Sequence, residues 1–515
     1  MNLRMDSRRL SRCLLGLTAA AAGAFLSTSA LALPPATLAD YTIYAAGSSE
    51  QANVVVAMAN RMFTMLDSYT DNSTGANSSS YRILFGKTSM AVTFNGTTIP
   101  SGRNVLLFYK FSGSGFANGI QPQVLSGSAL TYPAVSQITT SVATGNSFPL
   151  PSFRTTTLPT QNQIPDWGLT DEELDVLNTP YNLPTGISHL TFLQRDSVNR
   201  KPLYEVMYGV AVTNTLYASK TNFTRQEVAD ILSGTLIDWS EIHGDNGAFL
   251  APGPIVLLDR TQGAGSKVAA NQFFLQYPGP AVYCHAYQSD PCNITPTPGQ
   301  TPGSVAFGYT GARITLPVTE YEDVNESSVG NLIEDLNAAN VAGVRAISIL
   351  SLQSPPSANR GGNSSNQYSF AKIDGIAADA GTATDNINGV SGSRSTYVRA
   401  IKGEYGFVYG ASFNTRTGFL GLNTTNAVFA NWARAVLASD PLFLGTTFTN
   451  VIVGASTGLA FPNGVHGILV DPIGTGGPAI LRAGVATTSR AANSAGPLWQ
   501  IFDPTVSLPS SSDPL

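Results

Sequence analysis

Charge is scarce in this chain. Lysine, arginine, aspartate and glutamate make up 12% of its 515 residues, about half the usual share of roughly 25%. Serine, threonine, asparagine and glycine stand in their place, a composition of exported, loop-rich proteins. There is no basic excess either. The formal net charge is -5, which argues against nucleic acid or an anionic membrane surface as the main partner. Beyond the N-terminal segment no run of roughly 18 apolar residues occurs, so no membrane helix is expected. The four histidines, His189, His243, His285 and His466, show no metal-ligand spacing.

The beginning reads as a secretory signal over residues 1–32. Arg4, Arg8, Arg9 and Arg12 form a basic region, a short apolar run follows, and Ala30-Leu31-Ala32 meets the small-x-small cleavage rule. Its removal takes four arginines and Asp6, moving the net charge from -5 to -8. Cys13 lies at the start of the apolar run and is poorly placed for lipidation, so a freely soluble periplasmic or secreted protein is expected. Cys284 and Cys292 then remain, eight apart. In an oxidising compartment a local disulfide between them is expected. A metal site using His285 lacks a second pair of ligands.

The richest stretch ends an apolar run with Asp259-Arg260, then turns through Gln262-Gly263-Ala264-Gly265-Ser266 into Lys267 and a helical spacing to residue 275. Strand, glycine-rich turn and helix start form an anion cradle, because helix N-termini present unpaired N–H groups and the positive dipole end. Arg260 would add a charged fork. The plain alternative is an ordinary strand-to-helix turn capped by Ser266.

Similar units recur. A strand over 41–45 leads through Gly47-Ser48-Ser49-Glu50 into a helix over 52–66, and a strand over 104–110 leads into Ser112-Gly113-Ser114-Gly115. Such turns at strand ends build the ligand crevice of open α/β sheets. Asp166 to Glu173 offers a capped helix start with acids in its first turn. Thr224 with Glu227 forms a capping box, and Gly234 suits the position after that helix. Strands are expected over 206–212, 302–309, 344–350 and 403–413, and an amphipathic helix over 427–437. Residues 121–165 read as a long surface excursion.

The order of these pieces resembles the phosphate-binding periplasmic proteins of ABC transporters, the type II solute-binding family. The resemblance rests on Ala46-Gly47-Ser48-Ser49, Ser112-Gly113-Ser114-Gly115, Thr170-Asp171-Glu172-Glu173, Gly234-x-x-Ile237-x-Trp239, the Arg260 turn, and Pro302-Gly303-Ser304-Val305-Ala306-Phe307-Gly308-Tyr309. These cover about residues 41–310. The resemblance implies an α/β fold of two lobes, periplasmic-binding-protein-like, with mixed sheets flanked by helices. Lobe I would hold residues 40–206 and 380–505, and lobe II residues 207–379, with insertions at 68–165 and 311–400. It further implies a monomer that binds inorganic phosphate or another small oxyanion for uptake, with an inner-membrane ABC permease as partner and neither cofactor nor catalysis. Donors would be Ser48, Ser49, Gly113, Ser114, Thr170, Gly265 and Ser266, with Arg260 as counter-charge and Asp171 as acceptor of a ligand proton. Two positions depart from the family. Gln262 replaces the acid that aims the arginine, so Arg260 is expected to be less rigidly held, and Ala264 replaces a hydroxyl donor.

Other readings compete. A secreted surface or adhesion protein that kept the binding fold would suit the polar loops. Gly454-Ala-Ser456-Thr-Gly458 fits a nucleophile elbow, but His466 follows too closely and no acid lies between them. Asp374, Asp379 and Asp385 lack calcium-loop spacing and read as a solvated turn. Trp167 and Trp239 are expected in the core.

Overall fold

A computed structural model describes residues 39–437 apart from 71–80, 112, 125–126, 135–159, 173, 180–181, 185, 276–313, 315, 327, 353, 355–366 and 378–404, together with 468–469. The leader, Cys284 and Cys292, the strand expected over 302–309, and Ser456 with His466 lie outside the described residues.

The protein is α/β, built on one mixed sheet. Its longer strands are β1 (Tyr41–Gly47), β2 (Phe63–Thr70), β3 (Tyr81–Thr88), β4 (Asn104–Lys110), β5 (Trp167–Thr170), β6 (Val198–Thr213), β7 (Val256–Arg260), β8 (Glu322–Glu326), β9 (Ala346–Ser351), β10 (Tyr368–Ile373) and β11 (Val408–Arg416). They run in the order β8-β7-β9-β6-β11-β5-β1-β4-β3-β2, with β10 also paired to β6. β1 is parallel to β4 and β5, and β7 is parallel to β8 and β9. Val105 to Tyr109 and Val256 to Leu258 are buried, as continuous apolar runs in covered parallel strands should be.

β6 joins two halves of this sheet. At 16 residues it exceeds the usual strand length of about 3–10. From Val198 to Met207 it pairs with β11, and from Tyr208 to Val212 it pairs with β9. The register shifts between Pro202 and Glu205, where proline has no N–H to give the ladder. One strand therefore runs through both halves and changes partner between Met207 and Tyr208.

Helices cover the sheet: α1 (Ala52–Met62), α2 (Arg225–Leu232), α3 (Gly265–Phe273), α4 (Val329–Val341) and α5 (Thr425–Leu437). Apolar spacing in α5 buries Phe429 and Trp432, and Trp432 meets Phe63 edge-on at 6.3 Å. Trp167 stacks on Phe413 at 5.2 Å, and Trp239 is 1% exposed, so both tryptophans are core residues. Among the described residues no helix is long and apolar enough to cross a membrane.

Three expectations need correction. The helix expected over 52–66 stops at Met62, because Phe63 turns extended and begins β2, paired with β3 at Thr88. Cross-strand pairing overrides the helical period there. Trp167 to Thr170 is a strand, not a helix start, and the following helix begins at Leu174. Gly168 permits this insertion, since a Cβ there would lie 2.7 Å from Gly119 Cα. The excursion over 121–165 contains a pairing of Leu130–Pro133 with Thr160–Gln163, seated by Tyr132 against Tyr44 at 5.1 Å. A further hairpin joins Val92–Phe94 to Thr97–Ile99 through Asn95-Gly96, both at positive φ, the Asn-Gly signature of a tight hairpin turn.

Candidate functional site

The ends of β1, β5 and β7, the segment after β4 and the start of α3 meet beside β6. β1 ends at Gly47, and Ser48 leads into a short turn, Ser49–Gln51, that enters α1. Gly47 lies against Leu169, leaving a Cβ there 2.6 Å from the Tyr109 hydroxyl. Tyr109 donates to Ser48 O at 2.8 Å, and Ser48 N donates to Leu169 O at 3.1 Å. The first two strand ends are thereby locked side by side.

Asp171, 1% exposed, is the centre of this group. Ser48 Oγ and Gln51 Nε2 both donate to its Oδ1, and Tyr204 donates its hydroxyl to Gln51 Oε1. Tyr204 belongs to β6, so a buried chain of hydrogen bonds ties the acid to the strand that both halves share. Asp171 Oδ2 is buried with no hydrogen-bond partner among the described residues. Burial first, and the neighbouring Glu50 carboxylate second, push the Asp171 carboxyl up to about 7, against the opposing pull of Ser48, Gln51 and Arg260.

α3 arrives from the other half and faces Asp171. Gly263 has φ +79°, and a Cβ on it would lie 2.6 Å from Pro184 Cγ and 2.8 Å from Ser114 Cβ. A Cβ on Gly265 would fall on the Asp171 side chain, 2.6 Å from its Cβ. Glycine is thus required twice for the close approach. The N-cap of α3 is Ala264, and no side chain caps the helix. Its first residue, Gly265, is thus packed against the buried acid. Ser266 Oγ, fully buried, also has no partner among the described residues.

Arg260 crosses between the halves. It is 2% exposed. Its Nε donates to Glu326 O at 3.0 Å, and its Nη1 reaches Glu50 Oε1 at 3.2 Å and Ser49 Oγ at 3.3 Å. The expectation of a loosely aimed arginine is therefore corrected. Glu50, on the β1 turn, supplies a carboxylate that Gln262 does not. The sequence placed Glu50 directly after Ser49, and its adjacency to a hydroxyl turn was the available signal. Beside the arginine, Lys267 pairs with Asp259, which also accepts from Arg260 N at 2.7 Å.

The remaining expected donors have other duties. Ser114 caps its own turn, accepting from Ala117 N at 3.0 Å. Gly113 is exposed with φ +109°. The Thr170 hydroxyl bonds Ser412 at 2.7 Å and Asn414 at 3.2 Å across β5 and β11. The structure thus brings Ser48, Ser49, Asp171, Arg260, Gly265 and Ser266 together. Ser114 lies beside Gly263, Gly113 at the rim, and Thr170 serves strand pairing. Away from this site, Asp374 accepts from Arg225 N at 3.1 Å within a turn. Among the described residues no group of three His, Cys, Asp or Glu side chains could hold a metal ion.

No protein-family model and no curated protein matches this sequence. Solved structures are similar in part. A substrate-binding protein described for phosphate ABC transport in Clostridium perfringens, with phosphate bound, shares 11% identity over 76% of this chain and 92% of its own, at a TM-score of 0.36. The phosphate-binding protein of Stenotrophomonas maltophilia shares 11% over 86% and 89%, at 0.31. PstS of Borrelia burgdorferi shares 11% over 76% and 97%, at 0.28. At such scores the sheet order and the site geometry of this chain carry the reading by themselves.

Proposed function

We propose that the protein is an exported solute-binding protein that holds phosphate or a related small oxyanion in the crevice where the two sheet halves meet. In this reading the halves are lobes, residues 40–206 with 380–505 and residues 207–379, and β6 is one of the strands about which they close. The observation that carries it is Arg260, a buried guanidinium from one half reaching Ser49 on the other, beside an uncapped helix N-terminus. A buried anion needs that combination of one counter-charge and several N–H or O–H donors. Ser48, Ser49, Gly265 and Ser266 supply the donors. Asp171 Oδ2 accepts from an anion that keeps a proton, and so disfavours fully deprotonated ones. Binding is non-covalent, and uptake through an inner-membrane ABC permease by a monomeric, periplasmic or secreted form completes the proposal.

The test is thermal melting with millimolar phosphate, arsenate and sulfate. Phosphate is expected to raise the melting temperature, and Arg260→Ala to abolish the rise. Ser266→Ala keeps every charge and is expected to weaken binding by about 1–2 kcal/mol. A melt unchanged by all three anions sinks the proposal.

A further inference from the structure

Glu50 occupies the donors that an oxyanion would use. Its Oε1 lies 3.2 Å from Arg260 Nη1, and its Oε2 accepts from Ser49 Oγ at 2.9 Å. Its side chain is 1% exposed, and that of Arg260 is 2% exposed. A carboxylate with two oxygens engaged in this way has the chemistry of one edge of a bound phosphate. The carboxylate comes from the β1 turn and the arginine from β7, so the contact spans the two halves.

We propose that Glu50 is a resident oxyanion that sets which ligands enter this site. The inference rests on reading the crevice as an oxyanion site. With the crevice empty of solute, the carboxylate neutralises Arg260 and holds the halves together. An incoming anion must displace it from both Ser49 and Arg260. A monoanion gains no more at the guanidinium than the carboxylate already provides, so nothing drives the exchange. A dianion of the hydrogen-phosphate class brings twice the charge and a proton for Asp171, and it wins the exchange. Glu50 thereby lowers affinity for every anion and excludes singly charged ones, without touching the ligand it admits.

Calorimetric titration of the full chain with phosphate and with nitrate tests this. Wild type is expected to bind phosphate and not nitrate. Glu50→Gln keeps the shape and removes the competing charge. It is expected to bind phosphate at least tenfold more tightly and to begin binding nitrate. Because Glu50→Gln removes a carboxylate from the buried Arg260, folding is checked by melting. Glu50→Asp, which keeps the charge but withdraws it by one methylene, serves as the second variant, with a smaller gain in phosphate affinity expected. Unchanged or weaker phosphate binding in Glu50→Gln overturns the inference while leaving the oxyanion reading intact. If Glu50→Gln does not fold, the same outcome in Glu50→Asp overturns it. Absence of phosphate binding in wild type and both variants overturns both.

Discussion

The start of α2 and the start of α3 lie in the same half of the sheet and are finished in opposite ways. Thr224 accepts from Glu227 N at 3.1 Å, and Glu227 Oε2 accepts from Thr224 N at 2.8 Å, so α2 closes on itself. Lys220 then holds the other oxygen of Glu227 at 3.0 Å. α3 starts after Ala264 with no side-chain cap, and its first residue, Gly265, packs against Asp171. A helix start without a side-chain cap in a buried site costs stability. In the proposed reading α3 is the terminus left to a ligand, whereas α2 closes within the fold. The acids differ in the same sense. The Glu227 side chain is 24% exposed and paired with a cation, whereas Asp171 is buried and held by neutral donors.

The largest expected break in this comparison comes from pH. The Asp171 carboxyl sits at about 7 in the folded protein, against 3.8 for the free group. Between those values the folded state holds a proton that the unfolded chain has released, so stability falls as pH rises from about 4 to about 7. A shift of this size corresponds to at most roughly 4 kcal/mol. Asp171→Asn removes the titration while keeping an acceptor for Ser48 and Gln51. Urea unfolding at several pH values is expected to show wild type losing ground to Asp171→Asn from pH 4 to 7, with no further change above. A constant difference between the two would show that Asp171 is not the desolvated acid described here.

A smaller effect is expected at Gly265. Alanine at this position forces the helix start away from the Asp171 side chain, an overpacking cost of about 1–3 kcal/mol. Asp171→Ala makes room, so the double variant is expected to cost less than the two single changes added together. Strict additivity in denaturant unfolding would mean that α3 and Asp171 do not press on each other.

Some elements were legible because their apolar periods are plain: residues 104–110, 256–260 and 427–437 appear where the spacing put them, whereas β2, β3, β8, β10 and α4 were not read from the sequence. The capping box and Gly234 were legible for the same local reason, and Gly234 has φ +70°. β5 was missed because four residues show no period, and its placement depends on Gly119 and Gly168 meeting backbone to backbone. Of the candidate residues, Arg260 and Ser266 stood out in the glycine-rich turn and Ser48 in its own, while Asp171 was named only through the family resemblance. Their pairing was not legible. That Glu50 replaces the acid absent at position 262 is a contact between residues 210 apart in the chain, which no local pattern encodes. The use of Thr170 in the β5–β11 ladder is likewise a matter of register.

The smallest expected effects separate the two helix starts most cleanly. Thr224→Ala opens the capping box of α2, and the loss is about 1 kcal/mol of stability. The box closes among Thr224, Glu227 and Lys220, so the phosphate-induced rise in melting temperature is expected to stay unchanged. Ser266→Ala deletes a hydroxyl that has no partner among the described residues, so stability without phosphate is expected to hold while the phosphate-induced rise shrinks. The two variants thus move opposite readouts, measured in one melting series with and without phosphate. If Ser266→Ala instead lowered stability and left the rise intact, its hydroxyl would belong to the fold, and α3 would be a helix start no different in purpose from α2.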